Sequence, residues 1–136
     1  MNPRNATAHY RSVHSRGAVM DASPTRLIQL MFEQTLTQLA ITRGCMERIA
    51  ATRQVRDVSD KAVAIGKVNG LLGELSGSLD LDRGGSIAEN LLALYTYMRT
   101  RLTSANLYND VDIIDEISRL LREVKSGWDQ IVTDAA

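Results

Sequence analysis

A few residues in this 136-residue chain are of types that could do chemistry. His9 and His14 are the only histidines, five apart near the N-terminus and without a neighbouring cluster of metal ligands. A di-metal carboxylate bundle needs inward-facing Glu residues and Glu-x-x-His pairs, and none is written here. A phosphorelay bundle needs an exposed histidine on a helix, and neither histidine falls on a helical pattern. Cys45 has no histidine or lysine close in sequence to turn its thiol into a nucleophile, so its type and setting suit a small buried apolar residue. Asp80, Asp82 and Asp110 sit where turns and helix starts are expected, not as an acid–base pair. Gly66, Gly70, Gly73 and Gly77 precede no Gly-Lys-Ser/Thr and make no phosphate loop. The sequence therefore predicts no enzyme, no metal and no cofactor.

Composition narrows the class further. Sixteen basic residues balance sixteen acidic ones, so no net field favours nucleic acid or an anionic membrane. A hydrophobic fraction of 44% with 24% charged residues is that of a soluble globular domain. One cysteine cannot form an intrachain disulfide and suits a reducing compartment. The N-terminal MNPRNATAHYRSVHSRG lacks the apolar core of a secretory signal. No apolar run is long enough for a membrane span. The expectation is a cytoplasmic protein.

The elements that must position any site are helices. Residues 1–22 are polar and unperiodic, and read either as a frayed tail or as an arm or lid with Tyr10 as its anchor and room for a short extra helix. Residues 23–136 read as the bundle. Ser23 and Pro24 supply an N-cap and a first-turn proline for a helix running to about Ala51. Ile28, Phe32, Leu39, Met46 and Ile49 share one face of it, and Leu27, Leu30, Ile41 and Cys45 fall on a second strip. That strip serves either a second neighbour in the bundle or a partner. After a charged connection, Thr52 to Asp57, a second helix carries Ile65, Val68, Leu72, Leu75 and Leu79 at steps of three and four. Its opposite face carries Gly66, Gly70, Gly73 and Gly77, either a featureless exposed face or a shallow trough for another helix. Four such glycines cost about 3–4 kcal/mol of helix propensity relative to alanine.

A tight polar turn is predicted from Asp80 to Gly85, and Ser86 with Glu89 reads as a capping box for the third helix. Ile87, Leu91, Leu94, Met98, Leu102 and Ala105 are its predicted core seam. Ala88, Leu92, Tyr95 and Asn106 widen one flank, and Asn90, Tyr97, Arg101 and Tyr108 form a polar, aromatic stripe on the other. Asn109–Asp110 caps a last helix with the regular stripe Ile114, Ile117, Leu121, Val124, Trp128 and Ile131, where a buried Trp128 needs a partner for its indole N–H. Four amphipathic helices with short connections predict an all-α, antiparallel up-down four-helix bundle.

Several segments together resemble the flagellin-specific export chaperones, the flagellar secretion chaperone FliS family. They are Ala22-Ser-Pro24-Thr-Arg-Leu27-Ile28, Lys67-Val-Asn-Gly-Leu71-Leu72-Gly-Glu74-Leu75 leading to Ser78-Leu79-Asp80, Ile87-Ala88-Glu-Asn90-Leu91, and Leu94-Tyr95-Thr-Tyr97-Met98. Leu102-Thr-Ser-Ala105-Asn106, Asn109-Asp110, Glu116 and Trp128 complete the set. The resemblance implies a four-helix bundle behind a short N-terminal segment whose tyrosine is matched by Tyr10. It implies a chaperone that holds the disordered C-terminal segment of flagellin in the cytoplasm, prevents premature polymerisation and aids delivery to the flagellar export gate. It also implies that the N-terminal segment lies over an apolar part of the binding surface when no flagellin is bound.

On this reading the flagellin-binding candidates are Tyr10, Leu27, Leu30, Ile41, the glycines 66, 70, 73 and 77, and the shoulders Asn90, Leu92, Tyr95, Tyr97, Arg101 and Asn106. The competing reading is a generic four-helix adaptor or dimerisation module with another client. The sequence leaves both a monomer and a homodimer open.

Overall fold

The computed structural model describes residues 23–135, and the predicted arm with Tyr10 lies outside the described residues. Ser23, in extended conformation, opens α1 (Pro24–Thr52), its side chain accepting from the Arg26 N–H. The helix ends where Arg53 turns left-handed at φ 55° and its N–H reaches Ile49 O. Helix α2 (Val55–Gly77) begins after only Arg53 and Gln54, earlier than the predicted Asp57 or Ser59, with Asp57 as the acidic residue of its first turn. That carboxylate accepts from Arg48 Nε at 2.9 Å, tying the two helices across the turn. Helix α3 (Leu81–Tyr108) and helix α4 (Val111–Ala135) complete the chain, and there is no strand among the described residues.

Each helix packs on two neighbours, α1 on α2 and α4, and α3 on α2 and α4. The result is the expected antiparallel, up-down four-helix bundle. The core is the meeting line of four apolar stripes, in which Phe32, Leu39, Met46, Val68, Leu72, Leu75, Met98, Leu102, Ile114, Ile117 and Leu121 are buried. Thr35 and Thr42 are also fully buried, and return their hydroxyls to their own helix, donating to Met31 O and Gln38 O.

The structure settles one open reading and corrects two expectations. The second strip of α1 serves a second neighbour in the bundle, since Leu27 and Cys45 are fully buried and only Ile41 is exposed. A helix squeezed between two neighbours needs two apolar strips. The span Asp80–Gly85 is not simply a turn: Asp80 Oδ1 accepts from the Arg83 N–H, and Leu81–Gly84 forms one helical turn. The backbone then breaks at Gly85 (φ 53°, ψ −137°) before α3 proper, so Asp80, not Ser86, is the observed side-chain cap. Third, the buried stripe of α3 keeps Met98, Leu102 and Ala105 of the predicted seam, with Leu91 and Leu94 packed at its edge, and adds Ala88 and Tyr95 from the flank, while Ile87 is 73% exposed.

At the opposite end a polar clasp joins three helices. Asn109, left-handed at φ 50°, caps α3 and donates from Nδ2 to Met46 O of α1 at 3.0 Å. Lys61 of α2, 8% exposed, donates to Asn106 O and Asn109 Oδ1. Burial lowers the Lys61 pKa below the ordinary lysine value, and the α3 C-terminal carbonyl supplies the compensating partial charge. Asp110 Oδ1 then accepts from the Asp112 and Ile113 N–H groups to start α4. Asn109→Ala removes the cross-helix bonds to Met46 O and Lys61, leaving the lysine Asn106 O alone, and is expected to destabilise the protein by about 1–3 kcal/mol, read from urea unfolding midpoints.

Candidate functional site

The other end of the bundle is built differently. There α1 begins, α2 ends, α3 begins and α4 runs out. Trp128 finds the partner its indole required, donating from Nε1 to Thr25 O at 3.0 Å. Beside it Gln29 donates to Asp129 Oδ1, and Lys125 donates to Asp129 Oδ2 at 2.6 Å. These contacts clamp α4 to α1. No comparable clamp holds the start of α3, whose first turn bends away at Gly85.

Between them lies a groove of about 340 Å³. Its apolar walls are Ile28 of α1, Leu75 and Leu79 at the end of α2, Ile87, Ala88, Leu91 and Tyr95 of α3, and Trp128 of α4. Ser78, Asp80 and Arg83 supply its polar edge. The Ser78 hydroxyl donates to Leu75 O at 2.7 Å. Tyr95, 2% exposed, is the deepest of the polar-tipped side chains, and burial pushes its phenol above the ordinary tyrosine range. The groove holds no acid–base pair and no nucleophile. Its lining is mostly apolar.

The remaining candidates scatter. Leu27 is a core residue and Leu30 is partly buried against the core. Ile41 is 45% exposed on the outside of α1, away from any groove lining. Gly66 and Gly70 are exposed, and a Cβ on either would meet nothing within 4 Å. Gly73 instead faces Arg99 of α3, whose guanidinium would lie 3.7 Å from such a Cβ and whose Nε donates to Asn69 Oδ1. The lower part of the trough is therefore occupied by this chain's own arginine, while Gly77 is half-buried at the helix end. Asn90 and Asn106 are exposed and Leu92 is half-buried. Tyr97 and Arg101 are engaged within the bundle: the tyrosine hydroxyl donates to Glu116 Oε2 at 3.0 Å and Arg101 Nε to Glu116 Oε1 at 3.1 Å.

Of the candidates, only Tyr95 lines the groove. The others lining it, Ile28, Leu79, Ile87, Leu91 and Trp128, fit the core pattern and were assigned to it or to its edge. The available signal was Gly84–Gly85, which stops α2 and α3 from closing over their own apolar ends. Among the described residues no three His, Cys, Asp or Glu side chains come together as metal ligands, and no helix is long and apolar enough to cross a membrane.

Comparison with known proteins matches this architecture to one family. The family described as flagellar protein FliS matches residues 6–135. The chain belongs to the FliS family. It is 45% identical over 131 residues to the flagellar secretion chaperone FliSB of Pseudomonas aeruginosa, covering 96% of this chain and 98% of that one. It is 38% identical over 128 residues to the flagellar secretion chaperone FliS of Salmonella typhimurium, covering 93% and 90%. The Escherichia coli flagellar secretion chaperone FliS is 32% identical over 129 residues, covering 94% and 90%. Within this FliS chain, Glu116 and its two donors fasten α3 to α4, and the hydrogen bonds from Arg101 and then Tyr97 hold the Glu116 pKa below the usual carboxylate value.

A carboxylate with a depressed folded pKa contributes stability above its unfolded pKa and loses that contribution as pH falls through the folded value. Glu116→Gln is therefore expected to lower the melting temperature at neutral pH. The gap from the parent chain should be full above about pH 4.3, the ordinary glutamate pKa, and close below it, as read by circular dichroism melts across pH 3–7.

Proposed function

We propose that this FliS protein is a cytoplasmic flagellar export chaperone that binds the disordered C-terminal segment of flagellin, keeps it from polymerising early and presents it to the export gate. The reading rests on family membership together with one structural observation, an apolar groove left open at one end of an otherwise well-packed bundle. Nothing in that groove acts covalently on a client. Its work is to exchange water for apolar side chains.

Magnitudes say how much surface such a client needs. A segment that folds on binding loses about 2–5 kcal/mol or more in ordering, and each apolar side chain it buries returns about 1.5–3 kcal/mol. A groove of about 340 Å³ stands at the small end of the ~300–1,000 Å³ range of ligand pockets and takes a few side chains, not a helix. Further contact comes from a second surface. The outward residues of α2 and α3 include a small, uncharged set, Ala62, Val63, Gly66, Gly70, Thr96, Thr100 and Thr103, bordered by Lys67 and Arg99. The α1–α4 side is instead laced with ion pairs such as Arg43–Asp115. The α2–α3 face is where an amphipathic client helix meets least desolvation of charge.

We infer further, from the family resemblance, that the segment before Ser23, which lies outside the described residues, covers the groove when no flagellin is bound. Tyr10 is the plug, and flagellin displaces it.

Calorimetric titration with a peptide spanning the C-terminal region of the same organism's flagellin tests the reading. One-to-one saturation with a strongly negative heat-capacity change is expected. Gly70→Ala should stabilise the free protein by up to about 1 kcal/mol, while Gly70→Gln weakens peptide binding with the fold intact. Tyr10→Ala should tighten binding by removing the competing plug. A folded protein that ignores the peptide would leave a four-helix adaptor with a different client.

A further inference from the structure

The break in α3 has features of a device with two positions. Leu81–Gly84 is a self-contained turn: Asp80 O accepts from the Gly84 N–H at 2.7 Å and Asp80 Oδ1 from the Arg83 N–H at 3.1 Å. The side chains of Leu81, Asp82 and Arg83 are all exposed, so no core packing anchors the turn to the body. Segments held this way open at low free-energy cost. After it, Gly85 adopts φ 53°, ψ −137°, a conformation open to glycine and strained for an L-residue. The bend presses Gly84 onto the following turn so closely that a Cβ there would lie 2.5 Å from the Ala88 Cβ. In an unbroken helix the same two positions stand about 5–6 Å apart. The kink thus requires glycine at 84 and 85, whereas a straight helix does not.

The straight alternative is also written in the sequence. Leu81 stands seven residues before Ala88, which stands seven before Tyr95 and fourteen before Leu102. The last three are buried, at 4%, 2% and 2% exposure, and Leu81 is 48% exposed. With Gly85 helical, Leu81 joins their stripe and the turn leaves the groove edge that Asp80, Arg83 and Gly84 now form.

We propose that Gly84–Gly85 is a hinge that interconverts a kinked α3, in which the apolar groove exists, and a straight α3, in which the groove is dismantled, so that the hinge controls when the chaperone can receive a client. The last clause rests on the flagellin reading above, and the hinge itself does not.

The experiment uses the full chain and two probes, the apolar dye 1-anilinonaphthalene-8-sulfonate and the flagellin C-terminal peptide. Trp128, the single tryptophan, lies on the groove wall and reports dye arrival by energy transfer. Gly84→Ala collides with Ala88 in the kinked form alone, and is expected to weaken dye binding at least fivefold and peptide binding about tenfold while helicity is kept. Gly85→Ala, which strains the kink by another route, should repeat the loss. Wild-type dye affinity in folded Gly84→Ala or in folded Gly85→Ala would overturn the hinge. If the dye follows this pattern and the peptide binds no variant, the hinge stands and the flagellin reading falls.

Discussion

The amide of Asn109 holds three helices at one end of the bundle, and much else follows from that end being closed. Its Nδ2 takes the Met46 carbonyl, its Oδ1 takes Lys61, and its own left-handed backbone ends α3 so that Asp110 can start α4. Three helices are thus fixed in register by groups with little freedom to exchange partners. With that end pinned, the stripes from Met46 and Val68 through Leu102 and Ile117 are buried against one another. The opposite end can then be left incomplete. A bundle loose at both ends would have no fixed frame against which a groove could keep its shape.

The two ends also differ in how they handle polarity. At the closed end, buried polar groups meet partners on other helices, which specifies geometry. At the open end, Trp128 and Asp129 clamp α4 to α1 on the outside, while the space toward α3 is bounded by Leu75, Leu79, Ile87, Leu91 and Tyr95, with few groups that demand a partner. An apolar opening imposes no hydrogen-bonding pattern on what enters. That suits a client recognised by shape and apolar content more than by a single polar signature.

Much of this was legible from local rules. Ser23–Pro24, Asp110 and the α4 stripe each combine a cap with a clean helical period, and the structure has them as read except that the stripe stops at Trp128 and leaves Ile131 56% exposed. The failures share a cause, which is that spacing along one helix cannot say how many neighbours it has. Spacing leaves the second strip of α1 open between a bundle neighbour and a partner, and only the packing of α1 on both α2 and α4 settles it for Leu27 and Cys45. The α3 seam holds from Leu91 to Ala105 and fails at Ile87, which the break at Gly85 leaves outside the packed stripe. Lys61 was missed because a lysine four residues before Ile65 and seven before Val68 reads as the polar start of a helix. Only the carbonyl end of α3 across from it gives a charge at that stripe position a partner.

The site was least legible, and the reason bears on what kind of site it is. A catalytic centre announces itself by residue types that packing does not need. This groove is made of Ile, Leu, Ala, Tyr and Trp at core spacing, and differs from core only in that nothing of the described chain lies on top of it. The sequence records that omission solely as two adjacent glycines where α2 hands over to α3. Gly84 allows an approach that any Cβ would forbid, and Gly85 a backbone turn that any L-residue would resist. A chain that only needed to fold would gain helix propensity by replacing both. Keeping them leaves apolar surface uncovered at one end of a bundle whose other end is fastened, and uncovered apolar surface with a fixed frame is what a protein needs to hold another chain's core residues out of water.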